Sequence, residues 1–399
     1  MAALRILLFC LALTVPTLAF ASQPQTIATF SVAAYDPNTG EVGVAVQSKF
    51  FAVGSVVPWC KAGVGAVATQ AFGQPEYGRR GLDLMADNNN PTMTLLRLLG
   101  ELNGDPDNTP VDSKASARQL GIVSVTGTEP TGGSAETGSD KDTPLYDRIE
   151  SHGKPFGNYR WTATRSGQAT TYTGIDCLDW AGGRTGRTLD GVVYAVQGNI
   201  LTGPEVVDAM ASAMENPAQI VLPGAYQNGQ VGIALNSHDF AGRLLGALVA
   251  GQIAGGDSRG MQSAALKVSQ AGAGYGGYND VKYDLRVDDA TDPFMELARL
   301  LNLARPITLA NQAYLLLNDN KMDQAIALFQ QLVELQPNDA NHRYNLACGL
   351  ARAGRNDEAM EQLTRALELD PKMKEPAKTD TDLTSLRERD DFQKLVVTP

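Results

Sequence analysis

The chain has 399 residues, of which 43% are hydrophobic and 19% are charged, so its length favours two or three folding units that can each bury a core. The formal net charge is −11 and no block of lysine and arginine occurs, which makes nucleic acid and anionic membrane surfaces poor candidate partners. The 40 glycines cluster in the front part, where we expect tight turns and close backbone approaches.

The first 21 residues have the pattern of a secretory signal peptide. Arg5 precedes an apolar run at 6–15, and Ala19 and Ala21 provide small residues at the −3 and −1 positions of a cleavage site. The run is too short to span a bilayer, and no other stretch of the sequence is long enough. We therefore expect a protein that is periplasmic or secreted, without a membrane partner.

Three cysteines follow this leader, namely Cys60, Cys177 and Cys348. They are too few for a disulfide framework, and none lies in a C-x-x-C pair. We expect small buried side chains at these positions, with a bridge between Cys60 and Cys177 as the alternative in an oxidising compartment.

The front part alternates strand-like and helix-like runs. Residues 29–46 hold two strand-like runs around a Pro-Asn-Thr-Gly turn, which predicts a β-hairpin. The patterns predict further strands at 53–70, 120–125, 169–173, 192–200, 263–268 and 283–287, and helices at 77–86, 92–102, 204–214, 240–253 and 293–303. Strand pairs interleaved with helix pairs indicate an antiparallel architecture covered by helices. Residues 126–166 are too long for a hairpin connection and are predicted to be an insertion.

The tail carries a repeat with a period of 34 residues. The repeated residues are Ala313 and Ala347, Ala325 and Ala359, Leu335 and Leu369, and Pro337 and Pro371. Small residues where paired helices cross, with proline after the second helix, are typical of tetratricopeptide repeats. Two repeats are few, so we expect the last helix of the front part and the segment 383–395 to cap them.

Other motifs lack the context that their chemistry needs. Residues 256–260 match G-x-S-x-G, but a nucleophile elbow lies between a strand and a helix, and here the order is reversed. Because only His152 and His238 precede residue 300, a Ser-His-Asp enzyme built on Ser258 is the weaker hypothesis. The Gly-rich run at 272–277 lacks the helix of a phosphate loop, and no residues have metal-ligand spacing. We expect neither a metal nor another cofactor.

Seven stretches of the front part carry a family resemblance. They are Thr-Phe-Ser-Val at 29–32, Gly-Val-Ala-Val-Gln-Ser-Lys at 43–49, Phe-Ala-Val-Gly-Ser-Val-Val-Pro-Trp at 51–59, Gly-Val-Gly-Ala-Val-Ala-Thr-Gln at 63–70, Gln-Gly-Asn-Ile-Leu at 197–201, Gly-Gly-Asp-Ser-Arg-Gly-Met-Gln-Ser-Ala-Ala at 255–265 and Gly-Gly-Tyr-Asn-Asp at 276–280. Together they resemble the bacterial domain-of-unknown-function family 1028 over about 29–303. That family is similar to proteasome-type N-terminal-nucleophile (Ntn) hydrolases, which implies a four-layer αββα sandwich.

The resemblance implies a set of site residues. An Ntn enzyme uses a Thr, Ser or Cys at a free amino terminus, whose own α-amine, with a pKa near ~8, takes the side-chain proton without any histidine. Thr29 takes the place of the nucleophile, and Lys49 lies close to where proteasome-like enzymes have a basic residue. Asn199 is expected to offer its amide or a backbone N–H to an oxyanion. Asp257 and Asn279, with their neighbours Arg259 and Asp280, lie in Gly-rich turns that are expected to border the same cleft.

Catalysis by Thr29 requires a second cut, between Ala28 and Thr29. Signal peptidase alone would leave Ser22 at the amino terminus, and Ser22 lies in a Pro-containing tail that is badly placed for catalysis. Each site residue also has a structural explanation. Thr29 can be a β-branched strand residue, Lys49 a strand-end lysine and Asn199 a helix cap. Asp257 and Asn279 are common turn residues.

The sequence thus predicts an α+β protein in three parts. A signal peptide at 1–21 precedes an αββα Ntn-hydrolase-like domain at 22–304, which contains the insertion at about 126–166, and an all-α tetratricopeptide-repeat domain at 305–399. The predicted function is an exported amidohydrolase acting on a small amide or peptide. The alternative is a catalytically silent αββα scaffold. The repeats are expected to bind a protein or peptide, or else to pack on the front domain or build a homo-oligomer.

Overall fold

The computed structural model describes residues 29–87, 90–99, 115–126, 161–162, 168–174, 176–217, 220–221, 234–235 and 239–397. The predictions about the signal peptide, Ser22, His152, His238 and most of the insertion lie outside the described residues. Among the helices that are described, none is both long enough and apolar enough to cross a membrane.

Antiparallel strands form the centre of the front part. They are β1 (Thr29–Tyr35), β2 (Val42–Ser48), β3 (Pro58–Lys61), β4 (Gly65–Ala71), β5 (Arg118–Ser124), β6 (Trp161–Thr162), β7 (Ala169–Gly174), β8 (Gly182–Arg187), β9 (Val193–Asn199), β10 (Ile220–Val221), β11 (Ala234–Leu235), β12 (Ser263–Ser269) and β13 (Val281–Val287). The larger sheet has the order β13-β12-β2-β1-β9-β8, the smaller sheet has the order β3-β4-β5-β7-β6, and β10 pairs with β11. The predicted hairpin at 29–46 is confirmed, and the predicted strands at 120–125 and 169–173 pair with each other.

Helices cover both sheets and make up the tail. They are α1 (Pro75–Ala86), α2 (Pro91–Leu98), α3 (Glu205–Glu215), α4 (Phe240–Ile253), α5 (Pro293–Asn318), α6 (Met322–Leu335), α7 (Ala340–Arg352), α8 (Asn356–Leu369), α9 (Lys374–Ala377) and α10 (Asp390–Phe392). Residues that favour a helix N-terminus mark where several of these helices begin. Proline occupies the first turn of α1 and α2, and the Asn90 side chain accepts a hydrogen bond from the Met93 N–H at 2.9 Å.

The front part stacks as four layers, αββα, as predicted. Along β1, Phe30 and Val32 face α3 and α4, whereas Ala33 faces the smaller sheet, because successive side chains of a strand point to opposite faces. One core lies between the larger sheet and helices α3 to α5, a second between the two sheets, and a third between the smaller sheet and α1 and α2. Strands β1 and β2 are therefore buried on both faces.

Glycines explain two differences from the predicted strands. The run at 53–70 is not one strand, because Gly63 turns the chain with a left-handed φ of 71° and separates β3 from β4. Strand β8 was not predicted, because its sequence is half glycine. A Cβ at Gly186 would lie 2.3 Å from the Tyr194 hydroxyl, so the glycine makes room for a buried ring.

Helix α5 belongs to both parts of the chain. The sequence predicts a helix at 293–303, but the helix continues across Pro306 to residue 318. Leu301 packs in the front core, Ala313 packs in the tail core, and burial at both ends offsets the cost of about 3 kcal/mol for a proline inside a helix. The predicted domain boundary at 304/305 lies inside this helix. Ala304 packs against the front core, and Leu309 packs against the tail core.

The tail consists of antiparallel helix pairs, α5 with α6 and α7 with α8, as the 34-residue period predicts. Fully buried alanines lie where the helices cross: Ala313, Ala325, Ala347 and Ala359. The predicted cap is confirmed, since Leu383, Leu386 and Phe392 complete the tail core.

Candidate active site

Thr29 opens β1 in the middle of the larger sheet. It pairs with Ser48 at the end of β2 and with Asn199 at the end of β9, and all three residues are fully buried. Its side chain lies on the face turned towards the smaller sheet, the same face as Ser31 two residues later. The Thr29 hydroxyl donates to Ser48 Oγ at 3.1 Å.

Buried amide side chains connect Thr29 to the smaller sheet. Gln70 of β4 donates through Nε2 to the Thr29 carbonyl oxygen at 3.2 Å and to Gln119 Oε1 at 2.7 Å. Gln119 of β5 donates to the Gly198 carbonyl oxygen at 2.7 Å and to Thr173 Oγ1 at 2.9 Å. Sequence reasoning did not single out either glutamine. The available signal was a glutamine in each of two strands that are buried along their whole length.

A third glutamine crosses between the sheets. Gln197 of β9 donates through Nε2 to Ser31 Oγ at 2.6 Å, and that hydroxyl donates to Gln70 Oε1 at 2.6 Å. Gly121 of β5 lies opposite, and a Cβ there would be 2.1 Å from Gln197 Oε1. Glycine is therefore needed at 121 so that the amide network can form.

The amide of Asn199 is part of this network. Its Nδ2 donates to Gln119 Oε1 at 3.0 Å and, more weakly, to the Thr29 carbonyl oxygen at 3.5 Å. An amide nitrogen has two donors, so the side-chain donors of Asn199 are directed at these two groups. The structure thus brings Asn199 to Thr29 as predicted, and its side chain orients the Thr29 backbone instead of facing an open oxyanion position.

A loop at 255–262, called the rim loop here, passes over the start of β1. On one side the Ser258 N–H donates to the Ile200 carbonyl oxygen at 2.9 Å, and on the other the Lys49 N–H donates to Asp257 Oδ2 at 3.1 Å. Because β9 and β2 flank β1, the rim loop spans the strand end that begins with Thr29. Left-handed glycines allow this course: Gly255, Gly256 and Gly260.

Two cations and one buried carboxylate meet on the rim loop. The side chain of Asp257 is fully buried and accepts from Arg259 Nε at 3.2 Å and Nη2 at 3.0 Å, while 36% of the Arg259 side chain is exposed. The exposed Lys49 donates through Nζ to the Met261 carbonyl oxygen at 3.3 Å. Lys49 and Asp257 therefore lie at the Thr29 end of the sheet, as predicted, with the ammonium group bonded to the rim loop.

Strained backbone is concentrated at this end of the sandwich. Among the described front residues, three that are not glycine adopt left-handed conformations: Ala52, Ala71 and Ile200, with φ of 54°, 65° and 55°. Ala71 directly follows Gln70 and Ile200 directly follows Asn199. Each such residue costs about 1–2 kcal/mol, and strain of this kind is typical of functional sites.

Asn279 does not join the site, which corrects the prediction that it borders the same cleft. It lies beside Val281, which pairs with Ser269 at one end of β12, whereas Ser263 at the other end of β12 pairs with Ser48. The seven residues of β12 span about 20 Å. Asn279 Oδ1 instead accepts from the Val281 N–H at 2.9 Å and shapes the Gly-rich turn that packs against α5.

The described cysteines do not offer a competing nucleophile. Cys60, Cys177 and Cys348 are free, so the alternative bridge between Cys60 and Cys177 is not formed. Burial raises the pKa of Cys60 to about 11 and that of Cys177 to about 12, and it raises the pKa of Cys348 as well. The thiolate, which is the reactive form, is therefore scarce at neutral pH.

One group of potential metal ligands occurs among the described residues, and it lies in the tail. Cys348, Asp380 and Asp382 come within reach of one another. Asp380 accepts from the Tyr344 hydroxyl at 2.9 Å, Asp382 lies 3.7 Å from Arg352, and the raised pKa of Cys348 disfavours a thiolate ligand. These groups are satisfied by protein partners, and the geometry gives no reason to assign an ion to them.

Comparisons with known proteins give a family for each part of the chain. A model described as a family of unknown function, DUF1028, matches residues 29–158 and 160–297, and a tetratricopeptide-repeat model matches residues 319–384. The crystal structure of protein SPO2555 from Silicibacter pomeroyi, itself a DUF1028 protein, is 21% identical, with a TM-score of 0.45 over 69% of this chain and 89% of that one. No curated protein matches the chain.

Proposed function

Because the chain belongs to the DUF1028 family, which has no assigned activity, we propose a function from the site itself: an exported amidohydrolase that uses Thr29 as an N-terminal nucleophile. The observation that carries the proposal is the position of Thr29. It is the first residue of β1 and the first residue of the family match, and Ser48, Asn199 and the rim loop converge on it.

The reaction follows from a free amine at Thr29. After a cut between Ala28 and Thr29, the new α-amine accepts the proton of Thr29 Oγ1 while that oxygen attacks the carbonyl carbon of the substrate. The tetrahedral intermediate collapses, the C–N bond breaks, and the amine product leaves with the proton. Water, deprotonated by the same α-amine, then attacks the acyl ester, which releases the acid and restores the hydroxyl.

The surrounding side chains have distinct roles in this proposal. Ser48 Oγ, 3.1 Å from Thr29 Oγ1, is placed to donate to the forming alkoxide, since a hydroxyl both donates and accepts. Gln70 and Gln119 are positioning residues that hold the Thr29 carbonyl and the Asn199 amide against the smaller sheet. An α-amine with a pKa near ~8 replaces a histidine as the base.

Access to Thr29 must come from processing. In the full-length chain Thr29, Ser48 and Asn199 are fully buried, so the proposal includes a mature form that begins at Thr29. Export by the signal peptide at 1–21 and removal of the following residues are parts of the same proposal.

The test is the amino-terminal residue of the exported protein, read by Edman sequencing and intact mass. We expect Thr29, acylation of that residue by 4-nitrophenyl acetate, loss of acylation in Thr29→Ala, and its retention in Thr29→Ser. Thr39→Ala, at an exposed turn beyond the far end of β1, is the matched control and should react normally. A mature chain that begins at Ser22 and resists acylation would contradict the proposal.

A non-catalytic scaffold is the second candidate, and the burial of Thr29 together with the bond from Lys49 to the rim loop favours it. The tetratricopeptide module supports a protein-interaction role in either case. The scaffold predicts that Thr29→Ala leaves every measurable property of the protein unchanged except local stability.

A further inference from the structure

The rim loop, which spans the strand end that begins with Thr29, presents a fixed guanidinium group. Asp257 and Arg259 form a two-point ion pair, and the Arg259 N–H also donates to Asp257 Oδ1 at 2.9 Å. The buried carboxylate thereby sets the orientation of a side chain that is 36% exposed. An arginine held in this way loses little rotamer freedom when it binds an anion.

A second cation strengthens the same surface. Lys49 Nζ contacts the Met261 carbonyl, two residues along the rim loop from Arg259, and the Lys49 N–H bonds to the carboxylate that holds Arg259. Asp289 on the neighbouring turn accepts from Gln262 Nε2 at 3.1 Å. Of the charged side chains on the rim loop, Arg259 is exposed, whereas its partner Asp257 is buried.

We infer that the amide substrate carries a carboxylate, which Arg259 binds with Lys49 beside it. This inference rests on the proposed function, because it names the substrate class of that same site. Guanidinium and carboxylate groups match in two-point geometry, and hydrogen bonds between charged groups are about twice as strong as neutral ones. The carboxylate can belong to the acyl half or to the amine half of the substrate.

The experiment uses the full chain beginning at Thr29 and matched probe pairs. For the acyl half, 4-nitrophenyl hydrogen glutarate is compared with its methyl ester. For the amine half, acetyl-3-carboxy-4-nitroanilide is compared with acetyl-4-nitroanilide. We expect one carboxylate probe to be preferred on the order of 10- to 100-fold in kcat/KM, mostly through KM. Arg259→Gln should abolish the preference by raising the KM of the carboxylate probe, and Arg259→Lys should restore part of it.

Arg389→Gln is the matched control. Arg389 makes the same two-point contact with a carboxylate two residues away, Asp391, but it lies in the tail. Its loss should leave the preference unchanged. Equal reaction of both members of each pair, or a preference that survives Arg259→Gln, would overturn the inference.

A binding measurement distinguishes a failure of this inference from a failure of the proposed catalysis. If no probe reacts at Thr29, calorimetric titration of the same protein with glutarate and with glutaramide decides the matter. Arg259-dependent binding of glutarate alone would keep the carboxylate site and reject only the hydrolase. Absence of glutarate binding, or binding that Arg259→Gln does not weaken, would overturn the inference independently of any activity.

Discussion

At the scale of single residues, the site depends on glutamines buried between the sheets. Gln70 and Gln119 each make several hydrogen bonds at full burial, and these bonds fix the Thr29 carbonyl and the Asn199 amide. A buried amide is stable only when its partners are in place, so such residues specify one arrangement of two sheets that apolar residues alone would leave free to shift.

We expect Gln119→Met to lower the free energy of unfolding by about 3 kcal/mol, because it removes one hydrogen-bond partner each from the Gly198 carbonyl, Gln70 Nε2 and Asn199 Nδ2 at full burial. Urea denaturation measures the change. Gln168→Met is the matched control, since Gln168 is only half-buried and its hydrogen bonds, to the Ser124 and Val125 carbonyls and from Arg187, are part-buried or exposed; it should cost under about 1 kcal/mol. Equal losses in both variants would argue against a special role for the network.

Strained residues at the site allow a second test at this scale. Ala52→Gly should raise the free energy of unfolding by about 0.5–1 kcal/mol, because glycine relieves the left-handed strain at φ 54°. The greater conformational entropy that glycine gives to the unfolded chain offsets part of this gain. The control is Ala213→Gly within α3, where glycine should cost about 1 kcal/mol. Thermal unfolding measures both, and a loss of stability in Ala52→Gly would show that the strain is absent.

At the scale of elements, an ion pair ties the β8–β9 turn to α4. Arg243 is buried in α4 and donates to both carboxylate oxygens of Asp190, at 3.0 and 2.7 Å, and Thr188 donates to the same carboxylate. The bonds from Arg243, followed by the bond from Thr188, lower the pKa of Asp190 to about 2. A carboxylate with a lowered pKa stabilises the fold above its unfolded pKa, which is about 3.9.

The stabilisation by Asp190 should therefore be complete above about pH 4 and vanish as the pH falls to about 2. Asp190→Asn should cost about 1 kcal/mol at pH 7, a value reduced for solvent screening because 55% of the Asp190 side chain is exposed. Near pH 2 the variant and the natural chain should unfold at the same denaturant concentration. Asp208→Asn, which breaks the exposed pair with Arg184, should change little at pH 7. A pH-independent cost of Asp190→Asn would contradict the linkage.

Most elements of the front part follow from periodicity, and the exceptions have physical causes. The hairpin, the helices α1 and α4, and the strands β5 and β7 agree with the prediction, because alternation and helical spacing report burial on one face. Strand β8 carries no such signal, since its glycines are required by tertiary neighbours: Gly186 by the ring of Tyr194 and Gly182 by the ring of Trp180. The partners of Gln70 and Gln119 lie on distant strands and are likewise invisible to a local pattern.

At the scale of the whole molecule, one helix joins two cores. Arg305 in α5 is buried and pairs with Asp239 at the start of α4, at 2.8 Å, and Gln312 further along α5 donates to Gln270 at 3.1 Å. The tail therefore does not begin at a flexible linker, and a division of the chain at 304/305 cuts through contacts of the front part.

Two truncations test this junction. A chain that ends at Gln312 keeps both contacts, whereas a chain that ends at Ala304 loses them, so we expect the longer one to be more stable by about 2 kcal/mol. Both retain Leu301 in the front core and should fold. Calorimetry measures the difference, and equal stabilities would place the true boundary at residue 304 as the sequence predicts.

The sequence by itself determined the layered α+β architecture, the repeats of the tail and the position of Thr29 at the head of a strand, because these depend on periodicity, spacing and short motifs. The tertiary structure alone decided which polar residues meet. It brought Gln70 to Thr29 and Gln119 to Asn199, and it placed Asn279 at the other end of the sheet. Strand register and sheet stacking decide such meetings, and both depend on contacts between segments far apart in the chain.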